Sequence, residues 1–367
     1  MAEILLLGEF GHGSPGGEAQ CASICAGLGD HRIVVASANP AESERLHGVP
    51  AIDDSLRGVR QALGSVDALL VGGGTTLSST VAERPGLPRL ALVMQAARRR
   101  GIPIGLVGVG AGELRGWRDR RLVRWIASRA DLLVLRDEES AAVLTDAGAT
   151  GPFWIGAEMS WYGADSAPRS AESRTGQRTI TVAVSRSAGP PAQYDALAQA
   201  LGVFLDSHLI RIQPWRTNGP AGDQPVAEYL LNRLRGDAKI IAAPDTVPAA
   251  VRDYAGTDLV VALRLHAVVV AGLAGTRCLA VAFEPKMAAL ARRVGQVSVP
   301  PHSSGDVLRE SVRAALGGPL PDHSGVLDQV DLAHRTIDMV RLLVSHGATD
   351  RPDRIRPLEM THGGGTW

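Results

Sequence analysis

Short runs of contiguous apolar residues recur along this chain, each separated from the next by a stretch long enough for one helix. In the first half they predict strands at Glu3–Leu7, Arg32–Ala36, Ala68–Val71, Ile104–Val107 and Leu132–Leu135. Helices fit between them at Gly17–Leu28, Ser55–Leu63, Pro88–Arg100, Trp117–Arg129 and Glu138–Ala147. Runs such as ALLV and LLVL have no polar face. A strand without one must be covered on both sides, as in a parallel sheet. Alternation of such strands with helices predicts a doubly wound α/β architecture.

The alternation stops once. From about Gly163 to Arg178 the chain is rich in Ser, Arg and Pro and has no apolar period, which reads as an interdomain linker. It then resumes with strands at Thr179–Val184, Leu209–Gln213, Lys239–Ala242, Leu259–Ala262 and Cys278–Ala282. The expected plan is two Rossmann-like domains, residues 1–165 and 179–320, joined by a linker at 166–178. A helix within 321–346 crosses back toward the first domain, and 347–367 forms a mobile tail. Two such sheets place a cleft between their carboxyl ends, where ligands bind.

Composition narrows the function. Acidic and basic residues number 38 each, so no charge excess points to nucleic acid. No apolar run reaches the roughly 18 residues of a membrane span, and the opening MAEILLLGEFGHG lacks the pattern of a signal peptide. Cys21, Cys25 and Cys278 form neither a disulfide framework nor a metal-binding pair. These features predict a cytoplasmic protein without a bound metal. All but two of the basic residues are arginine, the exceptions being Lys239 and Lys286. A lysine kept against that bias suggests a need for a compact ammonium group.

Five segments carry candidate chemistry. GEFGHGSPGGEA, from Gly8 to Ala19, follows the first strand, and its glycines Gly11 and Gly13 let backbone approach a ligand. The second strand, RIVVASANP, lacks the terminal acid that a dinucleotide ribose requires, so no NAD is expected. LLVGGGTTL offers Gly72, Gly73, Gly74 and Thr75, and LVGVGAGEL repeats the glycine pattern with Gly110. LLVLRDEES puts Arg136 at a strand end, with Asp137 as a helix N-cap. TDLVVALRLHAVVVAGLAG interrupts an apolar stretch with Arg264 and His266, a costly pair to bury unless it meets an anion. AVAFEPKMAALARRVG starts a helix with Pro285 and sets Lys286 at the positive end of its dipole, which an anionic ligand would favour.

The order of the glycine loop, LRDEES, the strand into RLH, and E-P-K resembles the polysaccharide pyruvyl transferases. The similarity runs from Gly8 to about Gln296. It implies a glycosyltransferase-B-like pair of domains, phosphoenolpyruvate (PEP) as donor substrate with no further cofactor, and a saccharide acceptor, free or lipid-linked. A lipid-linked acceptor would bring the protein to the inner membrane face. The resemblance also implies donor-binding or catalytic roles for Arg136, His266 and Lys286. Arg264 and Leu265 complete the RLH motif. The opening loop departs from the family pattern GxxGxxNxGDE, with Ser14 and Gly17 in place of Asn and Asp, while Glu18 is kept. Glu158 stands where the family places an Asp. Glu18, Glu113 and Glu158 are the acids available as a general base for a sugar hydroxyl. A nucleotide-sugar glycosyltransferase or epimerase is the alternative. It lacks support after Glu284, because PKMAALARRVGQ carries no second acid. A non-catalytic relative is the third reading.

Overall fold

The computed structural model describes residues 1–79, 86–163, 177–216, 222–244 and 246–346. Most of the expected linker and the whole of the expected tail lie outside the described residues.

The first domain contains β1 (Glu3–Leu7), α1 (Pro15–Gly27), β2 (Arg32–Ser37), α2 (Pro40–His47), β3 (Ala51–Asp53), α3 (Leu56–Ala62), β4 (Ala68–Gly72), α4 (Gly86–Arg98), β5 (Ile104–Val109), α5 (Trp117–Ala127), β6 (Leu132–Leu135), α6 (Glu138–Asp146) and β7 (Trp154–Ile155). A single 3-10 turn, Met159–Trp161, follows. The second domain contains β8 (Thr179–Val184), α7 (Pro191–Gly202), β9 (Leu209–Pro214), α8 (Gln224–Arg233), β10 (Ala238–Ile240), α9 (Val247–Ala255), β11 (Leu259–Ala262), α10 (Leu265–Leu273), β12 (Cys278–Val281), α11 (Pro285–Arg293), β13 (Val297–Val299) and α12 (Gly305–Gly317). The long α13 (Ser324–His346) ends the described chain.

Both sheets are parallel. Their strand orders are β3-β2-β1-β4-β5-β6-β7 and β10-β9-β8-β11-β12-β13. The order reverses direction between β1 and β4, which pair from Ile4↔Ala68, and between β8 and β11, which pair from Leu259↔Ile180. Chains leaving neighbouring strands there wrap to opposite faces and open a crevice at the carboxyl ends. The α/β class and the paired Rossmann-like sheets expected from the apolar runs are what the chain forms.

The strands are apolar throughout because each sheet is buried on both faces. Leu5, Leu69 and Leu106 face one way into the first core, while Ile4, Leu6 and Leu70 face the other. That second face is closed by α13. Its stripe Val326, Val330, Ala333, Ile337, Val340 and Leu343 keeps helical spacing and is buried along its length. The first three pack with α10 of the second domain, and the last three pack against β1, β4 and α1 of the first. Each fully buried Ile, Val or Leu there contributes about 1.5–3 kcal/mol, so one helix ties both cores together.

Candidate active site

The site assembles at the carboxyl ends of both sheets. Helix α1 starts there after the glycine-rich turn that follows β1. It carries three buried polar residues, Glu18, Gln20 and Ser23, among small apolar ones. Gln20 reaches three segments. Its Oε1 accepts from the Gly74 amide at 2.8 Å, and its Nε2 donates to Glu158 Oε1 at 2.9 Å and lies 3.1 Å from His266 Nε2. Gly73 and Gly74 turn with φ of +74° and +66°, which presents the Gly74 amide to Gln20.

Glu158 follows β7 and is 3% exposed. Its Oε1 accepts from Gln20, from Ser160 Oγ at 2.8 Å and from His266 Nε2 at 2.8 Å. Burial alone would raise this carboxyl. The charge and hydrogen bond of His266, with help from Arg136 and Ser160, override it and hold the group at about 2. A carboxylate that accepts at 2.8 Å requires the proton on His266 Nε2. Glu158 is therefore the orienting partner of His266, where the sequence offered it as a candidate base toward a sugar. The imidazole lies over the first turn of α1. A Cβ at Gly16 would overlap the ring, so only glycine permits this contact.

Arg136 leaves the end of β6 and is 7% exposed. Its Nε donates to Asp137 Oδ2 at 2.7 Å, and Asp137 caps α6 through the Ser140 amide at 2.7 Å. Burial would raise the Asp137 carboxyl, but the adjacent guanidinium and Ser140 bring it below its ordinary value. Neither Nη of Arg136 makes a hydrogen bond among the described residues. The guanidinium packs across Gly110, where a Cβ would stand 2.5 Å from Nη2.

Lys286, in the first turn of α11, crosses between domains. Its Nζ donates to Thr75 Oγ1 at 3.1 Å and pairs with Glu284. Arg293, one helix length on, lies 3.6 Å from Glu139 and 3.9 Å from Glu138 on the first domain. Arg136, Lys286 and Arg293 line one interdomain cleft together with Leu265, Glu158 and Trp161. Glu158 Oε2 and Trp161 Nε1, both buried, find no partner there. The cleft holds about 10 Å³, room for about one water molecule.

Arg264 differs from the other cations. Its Nη2 donates to both oxygens of Asp223 at 2.6 Å, and its Nε donates to Oδ2 at 3.0 Å and to the Val184 carbonyl at 3.2 Å. Asp223 is fully buried and also accepts from the Arg186, Trp215 and Arg216 amides. Arg264 thus fastens the loops after β8 and β9. Glu18 accepts from the Gly11 amide at 2.8 Å and pairs with His47 at 2.8 Å, apart from His266. Gly11 and Gly13 adopt φ of +76° and +66° in the turn before α1. Glu113 is exposed and sits 3.5 Å from Arg115, outside the cluster. Lys239 lies exposed on β10, at the edge of the second sheet. Gln20, Gly16, Asp223 and Arg293 were not singled out from the sequence. A buried-looking Gln among the small residues of α1 was the one available signal. No group of three His, Cys, Asp or Glu side chains placed to hold a metal occurs among the described residues. No helix among them is long and apolar enough to cross a membrane.

A model of the polysaccharide pyruvyl transferases matches residues 16–285, which include Gln20, Arg136, Glu158 and His266 and stop one residue before Lys286. The chain belongs to this family. No curated protein matches its sequence. Among solved structures, UDP-GlcNAc 2-epimerase from Methanocaldococcus jannaschii is similar with a TM-score of 0.64 and 12% identity, over 95% of this chain and 100% of that one. S. aureus MnaA with UDP gives 0.62 and 12%, over 94% and 97%. Anabaena Alr3699/HepE with UDP-glucose gives 0.61 and 14%, over 94% and 99%. At such identities these likenesses establish the two-domain fold and nothing of the chemistry.

Proposed function

We propose that this pyruvyl transferase family member moves the pyruvyl group of PEP onto two hydroxyls of a saccharide, forming a ketal and releasing phosphate. The observation that carries the reading is the convergence of Arg136, Lys286 and Arg293 on one cleft beside the Glu158–His266 pair. PEP bears a phosphate and a carboxylate. The unengaged Nη groups of Arg136 suit bidentate binding of either, and Lys286 suits the phosphate as a point charge.

The chemistry balances without a further reactant. A proton added to the methylene carbon makes it a methyl group and leaves an oxocarbenium ion at C2. One sugar hydroxyl adds there and gives up its proton. The C–O bond to phosphate then breaks, and a second hydroxyl closes the ring. The two hydroxyl protons offset the one gained by carbon and the one leaving with hydrogen phosphate. His266, oriented through Nε2 by Glu158 beside the cleft, is the residue to which we assign the proton transfer.

The closed cleft is too small for PEP, so the domains part to admit it. The contacts that would yield are Lys286–Thr75 and Arg293–Glu139, and the anion would take over the cations they release.

Thermal-shift titration with PEP tests the reading, with UDP-GlcNAc in parallel. We expect a shift with PEP that disappears in Lys286→Ala. A shift with UDP-GlcNAc alone would overturn it in favour of nucleotide-sugar chemistry. Loss of phosphate release in His266→Ala, with the fold intact, tests the proton-transfer role.

A further inference from the structure

Helix α5 turns two different chemistries inward and outward. Val123, Ile126 and Ala127 are buried against the first sheet. Trp117, Arg121 and Arg124 recur at i, i+4 and i+7 on the opposite side and are exposed. From Arg115 to Arg129 the chain carries six arginines and one acid, Asp119, although its total charge is zero. Asp119 is half-buried and accepts from Ser79. Arg118 and Arg121 have no carboxylate partner among the described residues, and the Arg118 guanidinium lies 5.5 Å from the centre of the Trp117 ring. Trp117 is 66% exposed, whereas the other described tryptophans are buried or half-buried. Helix α4 packs beside α5 on the same side of the sheet, and its Leu92 is 58% exposed.

We propose that this face of the first domain, made by α5 and the outer side of α4, docks on a bilayer surface rich in anionic lipid. The proposal goes beyond the reaction and does not depend on it. An exposed tryptophan and leucine gain by entering the bilayer interface, which accommodates both the apolar body and the N–H of the indole. Arginines drawn to lipid phosphates hold them there, each strengthening binding about fivefold. A nucleic acid would also engage the arginines through its phosphates, but it would leave Leu92 in water. Placement relative to the cleft fits the same reading. Helix α5 begins where the chain leaves the carboxyl end of β5, and Arg136 stands where it leaves the carboxyl end of β6, so Trp117 and the cleft lie toward one end of the sheet.

Co-sedimentation with vesicles of phosphatidylcholine, and of an equal mixture with phosphatidylglycerol, tests this. We expect the wild type to bind the mixed vesicles and not the neutral ones, and to be released by high salt. Arg118→Glu combined with Arg121→Glu should weaken binding at least about 25-fold. Trp117→Ala should weaken it about tenfold. All three side chains are exposed near the N-terminus of α5, where acids suit the helix dipole, so the melting temperature and the thermal shift with PEP should persist in both variants. No binding of the wild type to the mixed vesicles, or binding undiminished in the double variant, overturns the proposal. Tighter binding to polyuridylate than to the mixed vesicles, lost in the same double variant, would overturn it in favour of nucleic acid. Failure of PEP to shift the wild type would sink the donor assignment alone, because the vesicle readout does not depend on it.

Discussion

Arg136 and Arg264 each stand just past the carboxyl end of an inner strand, one in either sheet. In the sequence both look like anion ligands. In the structure Arg264 spends its fork on Asp223, which anchors three backbone amides as well, whereas Arg136 spends only Nε on Asp137. What separates the two is the carboxylate each one meets. A buried acid that takes both Nε and Nη2 makes an arginine part of the framework. An acid that also caps a helix takes Nε alone and leaves both Nη groups for a ligand.

Three substitutions sharpen or break that contrast. Asp223→Ala strands Arg264 and removes three amide acceptors, and chemical denaturation should show a loss of about 3–5 kcal/mol. If stability barely changes, Arg264 is not the structural arginine. Arg136→Lys keeps the charge but not the bidentate fork. Its PEP affinity should fall about 10- to 100-fold, while its melting temperature stays close to the wild type. A large drop in stability with intact PEP binding would reverse the two assignments. The mildest effect is expected at Glu158. Its folded carboxyl is held at about 2, below the ordinary value near 4.5, so the native state binds fewer protons than the unfolded chain. The stability it supplies is present above about pH 4.5 and is lost as pH falls toward 2. Glu158→Gln should flatten that acid limb in pH-dependent denaturation, and an unchanged limb would mean the pair with His266 is not formed.

The inner strands were legible because burial on both faces leaves an unbroken apolar run, and β4 at Ala68–Gly72 extends the expected Ala68–Val71 by one residue. The edge strands β3, β7 and β13 are two or three residues long, only partly buried, and leave no such run, whereas the edge strand β10, expected at Lys239–Ala242 from its KIIA run, forms at Ala238–Ile240. The site was legible where a charged residue broke an apolar stretch, as at Arg136 and His266. It was not legible where the partner was remote. Nothing near Gly16 tells which of the glycines before Glu18 must admit a ring from some 250 residues later. Asp223 lies in a polar loop where one more acid has no local contrast. Which carboxylates sit beside His266 and Arg293 depends on how the two sheets face each other, and no local pattern encodes that.

The path of α13 has a consequence for synthesis. Ile337, Val340 and Leu343 complete the face of the first sheet made by Ile4, Leu6 and Leu70, yet they leave the ribosome roughly 180 residues after that domain has been made. At about 5–20 residues per second, a nascent first domain waits some ten to forty seconds with one flank of its sheet uncovered. Through that interval the uncovered apolar flank is open to aggregation.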